Sequence, residues 1–260
     1  MLSFIHNFAP AMNISQSISL RLDALRVGYG RRLVAGPMDA LLPAGAFTCL
    51  LGRNGTGKST LLRTLAGLQP PVGGLVAGEA GGRRVSPAGQ VGIVLTHRVE
   101  GVNLSVRELV GLGRMPHTGF LGRLGAEDHR VVDWAMRQTG SDVFASRKVS
   151  TLSDGEFQRV MLARVLAQQT PVVLADETTA FLDYPSKREV MCLLRRMAHE
   201  LGLAVLLSTH DVPLAMEEAD RLWLLSSPKT GAPSSLLEGT PPSLAAAVGE
   251  AMGHAISDNH

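Results

Sequence analysis

Two cysteines in 260 residues are too few for a disulfide framework. Cys49 and Cys192 both fall in apolar segments, which predicts buried free thiols and suits a reducing compartment. Charge of one sign is also lacking. The formal net charge is only +2, so no nucleic-acid partner is expected on electrostatic grounds. Long apolar runs are missing as well, and a spanning helix needs about 20 mostly apolar residues. The stretch Met1 to Leu20 has no Asp, Glu, Lys or Arg, but His6, Asn7, Asn13, Ser15, Gln16, Ser17 and Ser19 interrupt it and Pro10 splits it. It lacks the basic leader and compact apolar core of a signal peptide. Residues 1–18 therefore read as an N-terminal extension, and work at a membrane would need a partner to hold the chain there. What is present, 45% apolar and 18% charged residues, is ordinary for a globular chain that buries a sizeable core.

Short apolar runs alternate with helical patterns. Phe47–Leu51, Val91–Leu95, Val172–Ala175, Ala204–Ser208 and Leu222–Leu225 are charge-free and too short for helices, which predicts strands covered on both faces. Leu20–Val27 mixes apolar and charged residues and predicts a more exposed strand. Helices are expected over Ser59–Leu68, Ser105–Gly111, Glu127–Thr139 and Ser153–Gln168. Ser153 and Glu156 stand at capping-box spacing. Ser186 and Glu189 repeat that spacing, and Val190, Leu193, Leu194, Met197 and Leu201 then mark one helical face. The alternation predicts an α/β fold with a mainly parallel core sheet. Helical patterns alone fill residues 100–150, which predicts an inserted helical subdomain. Residues 226–242, rich in Ser, Pro and Gly, read as a loop, and the end of the chain as frayed.

The sharpest motif is Gly52-Arg53-Asn54-Gly55-Thr56-Gly57-Lys58-Ser59-Thr60, which matches G-x-x-x-x-G-K-[ST] between a buried strand and a helix. Several backbone N–H groups can converge on a phosphate only if the loop curls tightly, and glycine permits the curl. The next helix points its positive end at the anion. Lys58 then reaches the β- and γ-phosphates, and the Ser59 hydroxyl is a candidate Mg²⁺ ligand. The strand Val172–Ala175 ends at Asp176-Glu177. Asp176 is placed to hold Mg²⁺ and Glu177 to polarise an attacking water.

With these motifs in order, the sequence resembles the nucleotide-binding subunit of an ATP-binding cassette (ABC) transporter, which implies a P-loop NTPase fold with an antiparallel β part beside the core sheet. Leu152-Ser153-Asp154-Gly155-Glu156 looks like the family's signature, LSGGQ. Tyr29 matches the aromatic that stacks on adenine, Asp183 the D-loop aspartate and His210 the switch histidine. The resemblance runs from about Leu20 to Leu225. It implies residues 19–225 as the ATPase domain, a helical subdomain over about 97–165, and 226–260 as a C-terminal loop and tail. It also implies that Gly52–Thr60, Tyr29, Ser153, Gly155 and Glu156 contact ATP, and that Glu177, His210, Asp183 and Lys58 serve hydrolysis.

Three departures stand out. Asp154 and Glu156 replace the usual Gly and Gln of the signature, and Thr178 replaces a usual Pro. Thr96 stands where the family has a glutamine that meets Mg²⁺, with His97 beside it, and either could take that place. The family's mechanism implies a head-to-tail homodimer closing on two ATP molecules, transmembrane permease subunits docking near residues 96–150, and a separate substrate-binding protein. It implies a place at the cytoplasmic face of the cell membrane. Val106–Val110 followed by Gly113-Arg114-Met115-Pro116-His117-Thr118-Gly119 looks like importers of iron–siderophore, haem or cobalamin type. The alternatives are a soluble ABC ATPase not coupled to transport, which an ATPase-stimulating permease would exclude, and an ATP-binding regulatory module with impaired hydrolysis, against which the intact Lys58, Asp176, Glu177 and His210 stand.

Overall fold

The computed structural model describes residues 17–95, 103–119, 122–227 and 232–253. The N-terminal extension through residue 16, Thr96 and His97 lie outside the described residues, as does the C-terminal end expected to fray, beyond residue 253. Among the described residues none forms a helix long and apolar enough to cross a membrane. The chain divides into two compact units. One takes residues 17–95, 171–180 and 191–253, and the other takes 103–170 and 181–190, apart from the undescribed positions.

The first unit holds two sheets. The antiparallel one runs β2-β1-β4-β5, from β1 (Ser19–Tyr29), β2 (Arg32–Leu42), β4 (Gly73–Ala80) and β5 (Arg83–Val85). The other runs β10-β9-β3-β8-β7-β6, from β3 (Phe47–Leu51), β6 (Val91–Val94), β7 (Val172–Asp176), β8 (Ala204–Ser208), β9 (Arg221–Ser226) and β10 (Ser235–Gly239). All its pairings are parallel except β9 with β10. Every residue of β3, β7 and β8 is buried, the outcome that charge-free runs require. Helix α1 (Lys58–Leu65) sets Leu61, Leu62 and Leu65 into a core with Leu50, Leu174, Leu206 and Trp223. That packing anchors the loop between β3 and α1, and truncating one such leucine to alanine costs about 2–5 kcal/mol.

Strand β1 is less exposed than its charges suggest. Leu20, Leu22, Leu25 and Val27 are buried, and the alternation jumps at Ala24. Ala24 has φ 45° and gives its N–H to Asp39 Oδ1 at 2.8 Å. This bulge adds one residue and returns Leu25 to the inner face. The segment 226–242 is also not all loop, since β10 occupies Ser235–Gly239 and α7 begins at Pro241 and ends at Met252. Its Ser and Pro serve an edge strand and a helix N-terminus, where Pro is tolerated. Cys49 is buried on β3, and burial pushes its thiol pKa up. Cys192 is exposed on α5 (Tyr184–Leu201), contrary to expectation, because it faces away from the buried stripe of Met191, Leu194 and Met197.

The second unit is helical. It contains α2 (Val106–Gly111), a 3₁₀ turn at Leu112–His117, α3 (Ala126–Thr139) and α4 (Asp154–Ala167). Arg114 is its fastener. Its Nε donates to Asp128 Oδ1 at 2.9 Å, and Nη1 donates to Ala167 O at 2.8 Å and Gln169 Oε1 at 2.7 Å. A Cβ on Gly113 would stand 2.2 Å from Arg164 O, so that residue must be glycine. His117 Nε2–H donates to Gln168 O at 2.8 Å. Gly113, Arg114 and His117 are thus tied into this unit, while Met115 and Pro116 are exposed.

Candidate active site

The loop after β3 is curled by the backbone that its glycines supply. Gly57 has φ 105° and a Cβ there would lie 2.8 Å from Val34 Cγ1. A Cβ on Gly52 would come within 2.5 Å of Leu225 O. Thr56 pins the curl from inside, with its N–H and Oγ1–H both directed to Arg53 O. Lys58 follows at the first turn of α1 and is buried. Its Nζ donates to Gly52 O at 2.8 Å and lies 3.4 Å from Arg53 O. Burial holds this ammonium below the usual lysine range, while Glu177 and Asp176 pull the other way. A buried cation within a curl of backbone, at a positive helix end, is an anion site by construction.

The acidic side comes from β7 and β8. Asp176 ends β7 and is buried. Ser208 ends β8, directly opposite Asp176, and donates Oγ–H to Asp176 Oδ1 at 2.7 Å. Glu177 then leaves the strand with φ 48°, rare for a non-glycine residue. Its N–H is received by Ser208 O and Ser208 Oγ, both at 3.1 Å.

His210 closes the group. Thr209 N–H donates to Leu50 O at 3.1 Å and Asp211 caps α6 (Val212–Glu218) by accepting the Leu214 N–H at 3.3 Å, so the histidine stands on a fixed junction. His210 Nε2 lies 2.6 Å from Glu177 Oε1 and 3.3 Å from Lys58 Nζ. At the shorter distance Nε2–H donates to the carboxylate. Lys58 Nζ is 3.8 Å from the same Glu177 oxygen. A cleft of about 290 Å³ beside these groups is lined by Asn54, Gly55, Gly57, Lys58, Ser59 and Glu177. Tyr29, 55% exposed, is joined to Thr60 by a hydroxyl–hydroxyl hydrogen bond of 3.1 Å.

The remaining expected site residues belong to the helical unit. Ser153 caps α4. Its Oγ accepts the Glu156 N–H, and Glu156 accepts the Ser153 N–H at 2.8 Å. The Ser153 N–H and the Arg147 guanidinium, 2.9 Å away, hold the Glu156 carboxyl below its usual range. Glu156 in place of Gln is therefore a sound capping-box residue. A Cβ on Gly155 would meet nothing closer than 3.5 Å, so packing does not demand glycine there. The expected Ser186–Glu189 cap is replaced by an earlier one. Helix α5 begins at Tyr184, and Asp183 Oδ1 accepts the Ser186 N–H at 3.1 Å. The Ser186 hydroxyl and N–H together hold the Asp183 carboxyl below its usual range.

Oxygen donors suited to a hard cation are present in the Ser59 hydroxyl and the Asp176 carboxylate, and no group of three or more His, Cys, Asp or Glu side chains that could hold a metal gathers among the described residues. Two donors plus substrate phosphates is a normal complement for Mg²⁺, which seldom occupies an all-protein cage. Ser208 was not among the expected residues. Its neighbourhood to Asp176 exists only once β7 and β8 pair in parallel.

A family model described as "ABC transporter" matches residues 36–180. The achromobactin transport ATP-binding protein CbrD of Dickeya dadantii is 37% identical over 221 residues, 82% of this chain and 82% of that protein. The ferric enterobactin transport ATP-binding protein FepC of Escherichia coli is 37% identical over 225 residues, 84% and 83% of the two chains. Among solved structures, cbiO1 of Clostridium perfringens, part of the ABC transporter complex cbiONQ, superposes with a TM-score of 0.73 at 25% identity over 89% and 94% of the chains.

Proposed function

The chain belongs to the ABC transporter family, and we propose that it is the ATP-hydrolysing subunit of an importer of iron–siderophore, haem or cobalamin type. The carrying observation is the convergence of Glu177 and His210 on the buried Lys58 beside a glycine-curled loop. The siderophore reading rests on the names of the relatives, achromobactin and ferric enterobactin transport proteins.

In this reading the Gly52–Thr60 loop and Lys58 bind the phosphates of ATP, and Tyr29 stacks on the adenine. Ser59 and Asp176 would hold Mg²⁺, with Thr96 a further candidate. When bound, Mg²⁺ would supply positive charge against the triphosphate. Glu177 accepts a proton from water as the water oxygen bonds to the γ-phosphorus in line with the bond to ADP, which breaks. His210 steadies the γ-phosphate, and Lys58 offsets the charge that builds toward the leaving group. Asp183 holds the start of α5 in place.

Ser153, Gly155 and Glu156 contribute from a second copy, in a head-to-tail homodimer. Gly155 supports this, because nothing among the described residues requires its missing side chain. ATP then joins the two subunits, and hydrolysis releases them. The permease docks near residues 96–150, at the cytoplasmic face of the membrane, and a separate binding protein delivers the chelate. The domain extents are 19–225 for the ATPase, with the helical subdomain near 97–165.

The test is uptake in the cell that makes this protein. Lys58→Ala is placed at the native locus, and uptake of a labelled ferric siderophore, haem and cobalamin is compared with the parent. Loss of one of the three, restored by the parent chain, is expected. Unchanged uptake of all three would contradict the importer assignment.

A further inference from the structure

Ser208 makes contacts with both acidic residues of the site, and no motif marks it. It is fully buried at the end of β8, in register with Asp176. Its hydroxyl has one proton and two lone pairs. The proton goes to Asp176 Oδ1 at 2.7 Å, and the oxygen accepts the Glu177 N–H at 3.1 Å. One side chain therefore fixes the orientation of the Asp176 carboxylate and the backbone of the following residue.

The second contact matters because of where Glu177 sits. At φ 48° a glutamate occupies left-handed backbone, which is unfavourable for a residue with a Cβ. Such a conformation persists only when its surroundings over-determine it. The Glu177 N–H is held by both oxygens of Ser208, and the side chain is held by His210. The turn aims the carboxylate into the cleft beside Lys58 and Ser59. Without the Ser208 hydroxyl the carbonyl bond remains, but the tie between Asp176 and the Glu177 backbone is cut.

We propose that Ser208 is a positioning residue for ATP hydrolysis, its hydroxyl coupling the orientation of Asp176 to the strained backbone that aims Glu177. This rests on the roles given above to Asp176 and Glu177. A hydroxyl at this point acts on catalysis and on the metal requirement, and leaves nucleotide binding by the loop and Lys58 as it was. A misaimed base lowers kcat, and a freer Asp176 carboxylate raises the Mg²⁺ concentration needed for half-maximal activity.

The experiment compares Ser208→Thr with Ser208→Val, which match in volume and differ in the hydroxyl, alongside Ser208→Ala and Glu177→Gln. Turnover, KM for ATP, the Mg²⁺ activation midpoint, and binding of a fluorescent ATP analogue without Mg²⁺ are measured on each full chain. Ser208→Thr is expected to keep kcat within about threefold of the parent. Ser208→Val and Ser208→Ala should lose about tenfold or more in kcat and shift the Mg²⁺ midpoint upward at least threefold, with analogue affinity within about twofold. If Ser208→Ala or Ser208→Val turns over within about twofold of the parent, the hydroxyl has no such role and the proposal falls. If Thr and Val are both inactive, the added methyl is the cause and Ser208→Ala decides. If Glu177→Gln turns over at the parent rate, the failure lies in the assignment of Glu177 and not in Ser208.

Discussion

Arg114→Ala should unfasten the helical unit. The guanidinium is nearly buried, with side-chain exposures of 6% for Arg114 and 14% for Asp128. It links the start of α3 through Asp128 to the end of α4 through Ala167 O and to the Gln169 side chain. Removing one partner of a buried ion pair costs about 3–5 kcal/mol. The lower end applies here, because Asp128 retains the Gly125 N–H at 2.9 Å and reaches some water. Burial raises the Asp128 pKa, but the Gly125 N–H and Arg114 together outweigh it and hold the carboxyl low. A loss of about 3 kcal/mol corresponds to a fall in Tm of roughly 6–12 °C. Urea unfolding followed by circular dichroism would measure it. A double-mutant cycle with Asp128→Asn isolates the pair, and a coupling of about 1.5 kcal/mol or more is expected. A single-variant loss below about 1 kcal/mol, or a coupling below about 0.5 kcal/mol, would refute the reasoning.

Gly57→Ala and Gly155→Ala should part company. The first meets Val34 Cγ1 at 2.8 Å with φ 105°, so it should lose about 1–3 kcal/mol and bind ATP poorly. The second meets only ordinary contacts, so its Tm should stay within about 1 °C. Gly155→Ala should still abolish ATP-dependent dimerisation by light scattering, and a normal dimer would remove Gly155 from the shared site. Lys58 carries a pH signature. Its pKa is lowered, mainly by burial, so it loses its charge at a pH below the usual lysine value of about 10.4. Its neutral form suits burial, so this group's contribution to stability rises as pH climbs through the lowered value. ATP binding restores the charge, and calorimetry in two buffers of different ionisation enthalpy, stepped through alkaline pH below the usual lysine value, should report proton uptake. Binding with no proton uptake would contradict it.

The parallel strands were legible because an apolar run of five residues has few alternatives once it is too short for a helix. Phe47–Leu51, Val172–Asp176 and Ala204–Ser208 lie where the runs stand. Strands β2 and β10 were hidden by the punctuation inside or around them, Gly36-Pro37 in one and a Ser- and Pro-rich setting in the other. Ser186 looks like the cap of α5 in the sequence, whereas Asp183, three residues earlier, does the capping. The phosphate loop was legible because its chemistry demands fixed residue types at fixed spacing. The inward role of Arg114 was not, since an arginine in sequence reads as surface until three partners surround it. Ser208 was likewise invisible, because its link to Asp176 spans 32 residues and exists only through strand pairing.

The most direct measurement is steady-state hydrolysis of Mg²⁺·ATP by the purified chain and by Glu177→Gln, with the oligomeric state of each followed in ATP. Turnover by the parent, a loss of at least about a hundredfold in the variant, and a stable ATP-bound dimer of the variant are the expected results. A Glu177→Gln chain that hydrolyses ATP at the parent rate would contradict the role of Glu177 as the base.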